Sequence, residues 1–177
     1  EKDNDEFTEN LTKQYEWAHY IILASNWLPA DVNDYKQLQE IVNKVRLDGK
    51  VPIFVSSTIE FQQTPTGDTD IEVFAKVNKR YPTSYELINL EKLAYRDLEN
   101  NQIHLINKNL SVIAKHMKVK FLDKRDYQCA LEAERCSVLD DDGYKLVYDH
   151  AHYSKEGAIF YAKIIDKIKW FSINGAQ

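Results

Sequence analysis

The chain is short of several features that would narrow its function at once. It has no basic tract, and 23 Lys and Arg against 28 Asp and Glu leave a formal net charge of -5. That balance argues against nucleic acid as a partner. It has no apolar run long enough to span a bilayer. Its opening, EKDNDEFTEN, is acidic and polar, without the pattern of a signal peptide. It starts on Glu1 rather than Met, as a processed product or a fragment would. No internal repeat or low-complexity tract is visible. There are only two cysteines, Cys129 and Cys136, in CALEAERC. Two thiols cannot make a structural zinc site, which takes four ligands. The close spacing suits a small disulfide loop and equally two free thiols; a bridge would imply an oxidising compartment.

What remains is an ordinary globular composition, 44% hydrophobic and 29% charged over 177 residues. That is enough for one domain with a substantial core. Two near-continuous apolar runs, AHYIILAS (Ala18 to Ser25) and KVPIFVSS (Lys50 to Ser57), read as strands buried on both faces of a parallel sheet. VKFLD, Val119 to Asp123, reads as a third, shorter strand. Between them YKQLQEIVNKVRLDGK puts Leu38, Ile41, Val42 and Val45 on one helical face, with Gly49 where the helix would end. The stretch from Ser84 to Lys118 reads as largely helical, with Ile103, Ile106, Leu110, Ile113, Ala114 and Met117 at helical spacing. TPTGDTD, Thr64 to Asp70, reads as a loop. SKEGAIFYAKIIDKIKWF is the last helix, with Ser154 as N-cap and Glu156 near its positive end.

Strand–helix–strand alternation predicts an α/β fold with right-handed crossovers. Functional residues in such sheets gather at the carboxyl ends of the strands. Those ends are ASNW, Ala24 to Trp27, and SSTIEF, Ser56 to Phe61. Three strands make a small sheet for this length, and the two strongest want neighbours. The expectation is that one or more central strands lie outside this chain.

The richest stretch is YDHAHYSKEG, Tyr148 to Gly157. As a metal site, His150 and His152 on a strand would point the same way, but Asp149 would point to the opposite face. The other histidines, His19, His104 and His116, are scattered. As an acid–base pair, Asp149 and His152 are three residues apart in a turn entering a helix. A carboxylate there fixes the imidazole tautomer and leaves Nε2 free for a hydroxyl nucleophile. The plainest reading is a solvated loop before a capped helix. Asn26, just past a strand, can aim its amide at an oxyanion or simply close the strand into a turn. Trp27 and Leu28 beside it read as core.

These residues together resemble the SGNH hydrolase family. YDHAHYSKEGAIFYAKII is similar to the family's final block, Asp-x-x-His followed by Ser and Gly, matched by Asp149, His152, Ser154 and Gly157. IILASNW is similar to the third block, Gly-x-Asn-Asp, with Ala24 for the Gly, Asn26 for the Asn and Trp27 for the Asp. The Trp variant, the close cysteine pair and the Asp/Gly turn before the final block resemble SGNH domains fused behind membrane-bound acyltransferase-3 proteins. Those proteins O-acylate bacterial surface sugars. The ordered resemblance runs from about Tyr20 to Ile165.

The resemblance implies a three-layer α/β/α sandwich with a parallel, flavodoxin-like sheet, here a single domain over residues 1–177 that lacks its first strand. It implies acyl transfer or ester hydrolysis on a carbohydrate, foremost O-acetylation of an envelope polysaccharide such as lipopolysaccharide. His152 would be the base, Asp149 its orienter and Asn26 the oxyanion donor, with no metal or cofactor. Cys129 and Cys136 would be bridged, in a domain on the periplasmic side of the inner membrane. The partners implied are an acyl donor, a carbohydrate acceptor and an acyltransferase-3 membrane domain or a missing N-terminal segment. One departure stands out. The family's nucleophile lies in Gly-Asp-Ser, and none of Ser25, Ser56, Ser57, Ser84, Ser111, Ser137, Ser154 and Ser172 follows Gly-Asp. The serine would therefore come from outside this chain. The alternatives are a non-catalytic glycan-binding or scaffold module and, further off, a metal-dependent hydrolase using His150 and His152.

Overall fold

A computed structural model describes residues 11–33, 35–58, 61, 65, 67–149 and 151–172. The acidic opening, Ile59 and Glu60 of SSTIEF, Thr64 and Thr66 of the expected loop, and His150 lie outside the described residues. The chain divides into two compact units: residues 1–56 with 108–122, and residues 57–107 with 123–177.

The first unit holds a parallel sheet of β1 (Tyr20–Ala24), β2 (Val51–Val55) and β3 (Lys120–Leu122), in the order β1-β2-β3. Tyr20 pairs with Val51 and Ala24 with Val55; Ile53 pairs with Lys120 and Val55 with Leu122. The apolar run of β2 is explained by its central place, with Ile53, Phe54 and Val55 all buried. β1 departs from the expectation of burial on both faces. It is an edge strand among the described residues, and Tyr20 and Ile22 are 45% and 50% exposed.

Helices α1 (Pro29–Asn33) and α2 (Tyr35–Leu47) lead from β1 to β2. α2 packs on β2 and buries Leu38, Val42 and Val45, one stripe at helical spacing. Ile41, expected on that stripe, sits at its margin and is 41% exposed. α2 ends as its sequence predicts: Gly49 takes φ +73°, its N–H bonds the Arg46 carbonyl, and the Lys50 N–H bonds the Val45 carbonyl.

After α3 (Asp70–Asn78), the stretch expected to be largely helical is two helices, α4 (Ser84–Glu99) and α5 (Gln102–Met117). The break falls at Asn100 and Asn101, where an Asn101 side-chain oxygen accepts from the Ile103 N–H and opens α5. α3 and α4 each begin with a Thr–Glu capping box, Thr69 with Glu72 and Thr83 with Glu86. At Glu86, the Arg80 guanidinium and the Thr83 donors pull the carboxyl down to about 2. The apolar face of α5 is as expected, with Ile106, Leu110, Ile113, Ala114 and Met117 buried.

In the second unit, a cluster of Phe61, Ile71, Ala94, Leu98, Cys136, Val138, Leu139 and Val147 forms the core. α6 (Arg125–Gln128) leads into a two-residue hairpin, β4 (Cys129–Ala130) against β5 (Arg135–Cys136). Cys129 and Cys136 face each other across it and are bridged, S–S 2.04 Å. α7 (Lys155–Lys167) closes the chain, with Tyr161 buried among Tyr127 and Tyr153. No helix among the described residues is long and apolar enough to cross a membrane.

Candidate active site

The turn that carries Asp149 and His152 is built on a short antiparallel bridge. Val147 pairs with Tyr153. The Tyr148 N–H donates to the His152 carbonyl (2.7 Å), and the Ser154 N–H donates to the Leu146 carbonyl (3.0 Å). The bridge is anchored below by the Leu146 N–H on the Val138 carbonyl and by burial of Leu146 and Val147. Tyr153 is pinned by its ring against Tyr161 and by a 3.1 Å hydroxyl contact with Tyr127. Burial and that neighbour raise the Tyr127 phenol far above its ordinary value, so both hydroxyls stay neutral.

Ser154 caps α7 as the sequence predicts. Its hydroxyl donates to the Lys145 carbonyl and accepts from the Gly157 N–H at 2.9 Å. A serine so committed is a structural element, not a nucleophile. Gly157 owes its place to a close approach. A Cβ there would stand 1.8 Å from the Leu146 carbonyl oxygen, so no other residue lets α7 start against that backbone.

Within this frame Asp149 and His152 meet. His152 Nδ1 lies 3.0 and 2.9 Å from the two carboxylate oxygens. Asp149 Oδ1 also accepts the backbone N–H groups of Ala151 (2.8 Å) and His152 (2.9 Å). The Ala151 N–H, then the imidazole, then the His152 N–H hold the Asp149 carboxyl well below the usual carboxylate range. A carboxylate can only accept, so Nδ1 carries the proton in the neutral ring. Nε2 is then the lone-pair nitrogen, on a side chain 77% exposed. This arrangement can accept a proton from a hydroxyl and return it.

A cation outside the motif supports the turn. Lys145 Nζ donates to the Tyr148 carbonyl (2.8 Å) and to Glu72 Oε1 (2.6 Å). Partial burial raises the Glu72 carboxyl, but the Lys145 ammonium and the Thr69 donors outweigh it and leave it lowered. Neither Lys145 nor Glu72 was legible as part of the site, because their meeting spans 73 residues of chain.

Asn26 lies in the first unit, exposed, two residues past β1. Its neighbour Trp27 is core, as read: the indole Nε1 donates to the Val55 carbonyl at 2.8 Å and the ring meets Phe54 edge-on at 5.9 Å. Leu28, read with it as core, is 56% exposed. His150 of the alternative metal reading is outside the described residues, and Nδ1 of His152 is engaged by Asp149.

The model of the SGNH domain fused to AT3 domains matches residues 2–167. The chain belongs to that family. A search of curated protein sequences finds no match. Among solved structures, the chain is similar to the periplasmic domain of a lipopolysaccharide acetyltransferase from Salmonella ser. Paratyphi A, with a TM-score of 0.56 and 17% identity. That likeness covers 85% of this chain and 56% of the other, so the chain spans little more than half of that domain's length. The α/β fold with its parallel sheet agrees with both findings, and family and fold together support an esterase- or acyltransferase-like kind.

Proposed function

We propose that this SGNH domain carries the acid–base half of a serine acyltransferase that O-acetylates a bacterial envelope polysaccharide. The observation that carries the reading is the contact of His152 Nδ1 with both Asp149 oxygens at the motif's own positions. The nucleophilic serine comes from a segment outside these 177 residues. An AT3 membrane domain is the partner, and the domain works on the extracytoplasmic side, as the named periplasmic relative does.

The chemistry follows from the tautomer. The serine hydroxyl attacks the acyl carbonyl while His152 Nε2 takes its proton. Asp149 stabilises the imidazolium so formed, and the Asn26 amide donates to the oxyanion. The tetrahedral intermediate expels the donor's leaving group, which takes the proton back from His152. A sugar hydroxyl then gives its proton to His152 and attacks the acyl-enzyme, releasing serine and an acetyl ester. Water in place of the sugar gives hydrolysis, and exclusion of water decides between them.

The test is fluorophosphonate labelling of the full protein as made in the cell, with His152→Ala alongside. Labelling of a serine in wild type, and loss of labelling in the variant, is the expected result. A second reading, a glycan-binding module, is favoured by the missing Gly-Asp-Ser. Unlabelled wild-type protein whose glycan affinity is unchanged by His152→Ala would establish it instead.

A further inference from the structure

The geometry points to Tyr148 as a stacking platform for the acceptor sugar, beside the general base. The inference rests on the acyltransfer reading above and adds a specificity-determining residue to it.

Side chains alternate across an antiparallel bridge, and directly opposed residues share a face. Val147 and Tyr153 are opposed and face inward, Val147 at 2% exposure and Tyr153 against Tyr161. Immediately beyond that bridge Tyr148 and His152 are joined by the Tyr148 N–H on the His152 carbonyl, at 2.7 Å. That bond sets the two residues side by side, just outside the buried pair. Exposure agrees: Tyr148 is 75% exposed and the His152 side chain 77%.

Isolated exposed tyrosines are ordinary, and Tyr85 is 75% exposed as well. What sets Tyr148 apart is its place and its fixed backbone. Its N–H is bonded to His152, and its carbonyl is held by Lys145, itself held by Glu72. With the backbone fixed, only the two side-chain torsions of the ring remain to be ordered on binding. The apolar C–H face of a pyranose laid on that ring leaves water, while its rim of hydroxyls stays hydrated. One of those hydroxyls is then within reach of Nε2.

The experiment uses the full protein with p-nitrophenyl acetate as donor and the methyl glycosides of glucose, galactose, mannose and rhamnose as acceptors. It reads the ratio of glycoside acetylation to ester hydrolysis. In Tyr148→Ala the ratio falls about tenfold, through KM for the glycoside. Tyr148→Phe keeps the ring and the ratio, and Tyr85→Ala keeps the ratio too. A fall of both reactions together in Tyr148→Ala, or no change in the ratio, overturns the platform and leaves His152 as base. Wild-type protein that hydrolyses the ester but acetylates none of the four glycosides also overturns it. His152→Ala that retains both reactions overturns the acyltransfer reading itself.

Discussion

Two short segments carry the family's motifs, and they are built on opposite plans. In the turn at Leu146–Ser154 nearly every motif residue is committed to another: Asp149 to three N–H donors, Ser154 to Lys145 and Gly157, Gly157 to the backbone of Leu146. In the segment after β1 the matched residue, Asn26, is exposed, and the substituted one, Trp27, does the structural task. The difference teaches that a motif position can serve the frame rather than the reaction. Where a family aspartate is replaced by an indole that donates to the Val55 carbonyl, the position has become part of the core. Where Asp149 has four hydrogen-bonding contacts and still orients His152, frame and chemistry are the same residue.

The sharpest way to break that comparison is in the turn. Asp149→Asn keeps the size but presents an amide to Nδ1, favouring the wrong tautomer. Acyl transfer by the full protein should fall by roughly 10³–10⁴-fold, and His152→Ala should match it. A fall of less than about tenfold for either would detach the pair from catalysis. The pH dependence has a definite sign. The Asp149 carboxyl is lowered, so the pair is intact above the ordinary carboxylate value and is lost only as pH falls through the lowered one. Loss of activity between about pH 5 and pH 4 therefore arises elsewhere, and the Asp149 carboxylate signal in NMR should show no titration there.

Next in size is the other segment. Trp27→Ala should cost about 3–5 kcal/mol in urea unfolding, from the cavity and the lost bond. Trp27→Phe should cost about 1–3 kcal/mol, chiefly by leaving the buried Val55 carbonyl without its donor. If Trp27→Phe were neutral, the indole would be packing only, and the contrast between the two segments would weaken. Gly157→Ala should cost about 1–3 kcal/mol, because α7 must move off Leu146. It should also lower activity through the displaced turn, whereas Asn26→Ala should lower activity with no change in stability.

The sequence carried the local parts of this structure well. β2, the two stripes of α2 and α5, the Ser154 cap and the Asp149–His152 contact each depend on residues within a few positions of one another. The resemblance extended this to the bridged cysteines. It did not reveal that β1 lies at the edge of the sheet among the described residues, since an apolar run says what a strand can bury and not what covers it. Nor could it show Lys145 on Glu72 and Tyr148, where the partners are brought together by the fold alone. Ile41 and Leu28 were misplaced for a related reason: a helical stripe and a strand end have margins that periodicity does not draw.

The smallest effect separates two helix ends that share one hydrogen-bond pattern. After α2 the left-handed position is Gly49; after α5 it is Lys118, at φ 54°, with the Val119 N–H on the Ala114 carbonyl. Gly49 has nothing within 4 Å of an added Cβ, so Gly49→Ala meets no clash and pays only for the backbone conformation, about 1 kcal/mol. Lys118→Gly relieves the same conformation but frees the unfolded chain, which takes back roughly 0.4–1 kcal/mol. The net gain should be a few tenths of a kcal/mol or nothing. Arg46 sharpens the test, because its guanidinium bonds the Met117 and Lys118 carbonyls at 2.8 and 3.0 Å and holds that helix end whatever side chain is present. In the Arg46→Met background that hold is gone and the end can relax on its own, so Lys118→Gly should then shift the urea midpoint upward by less than it does in wild type.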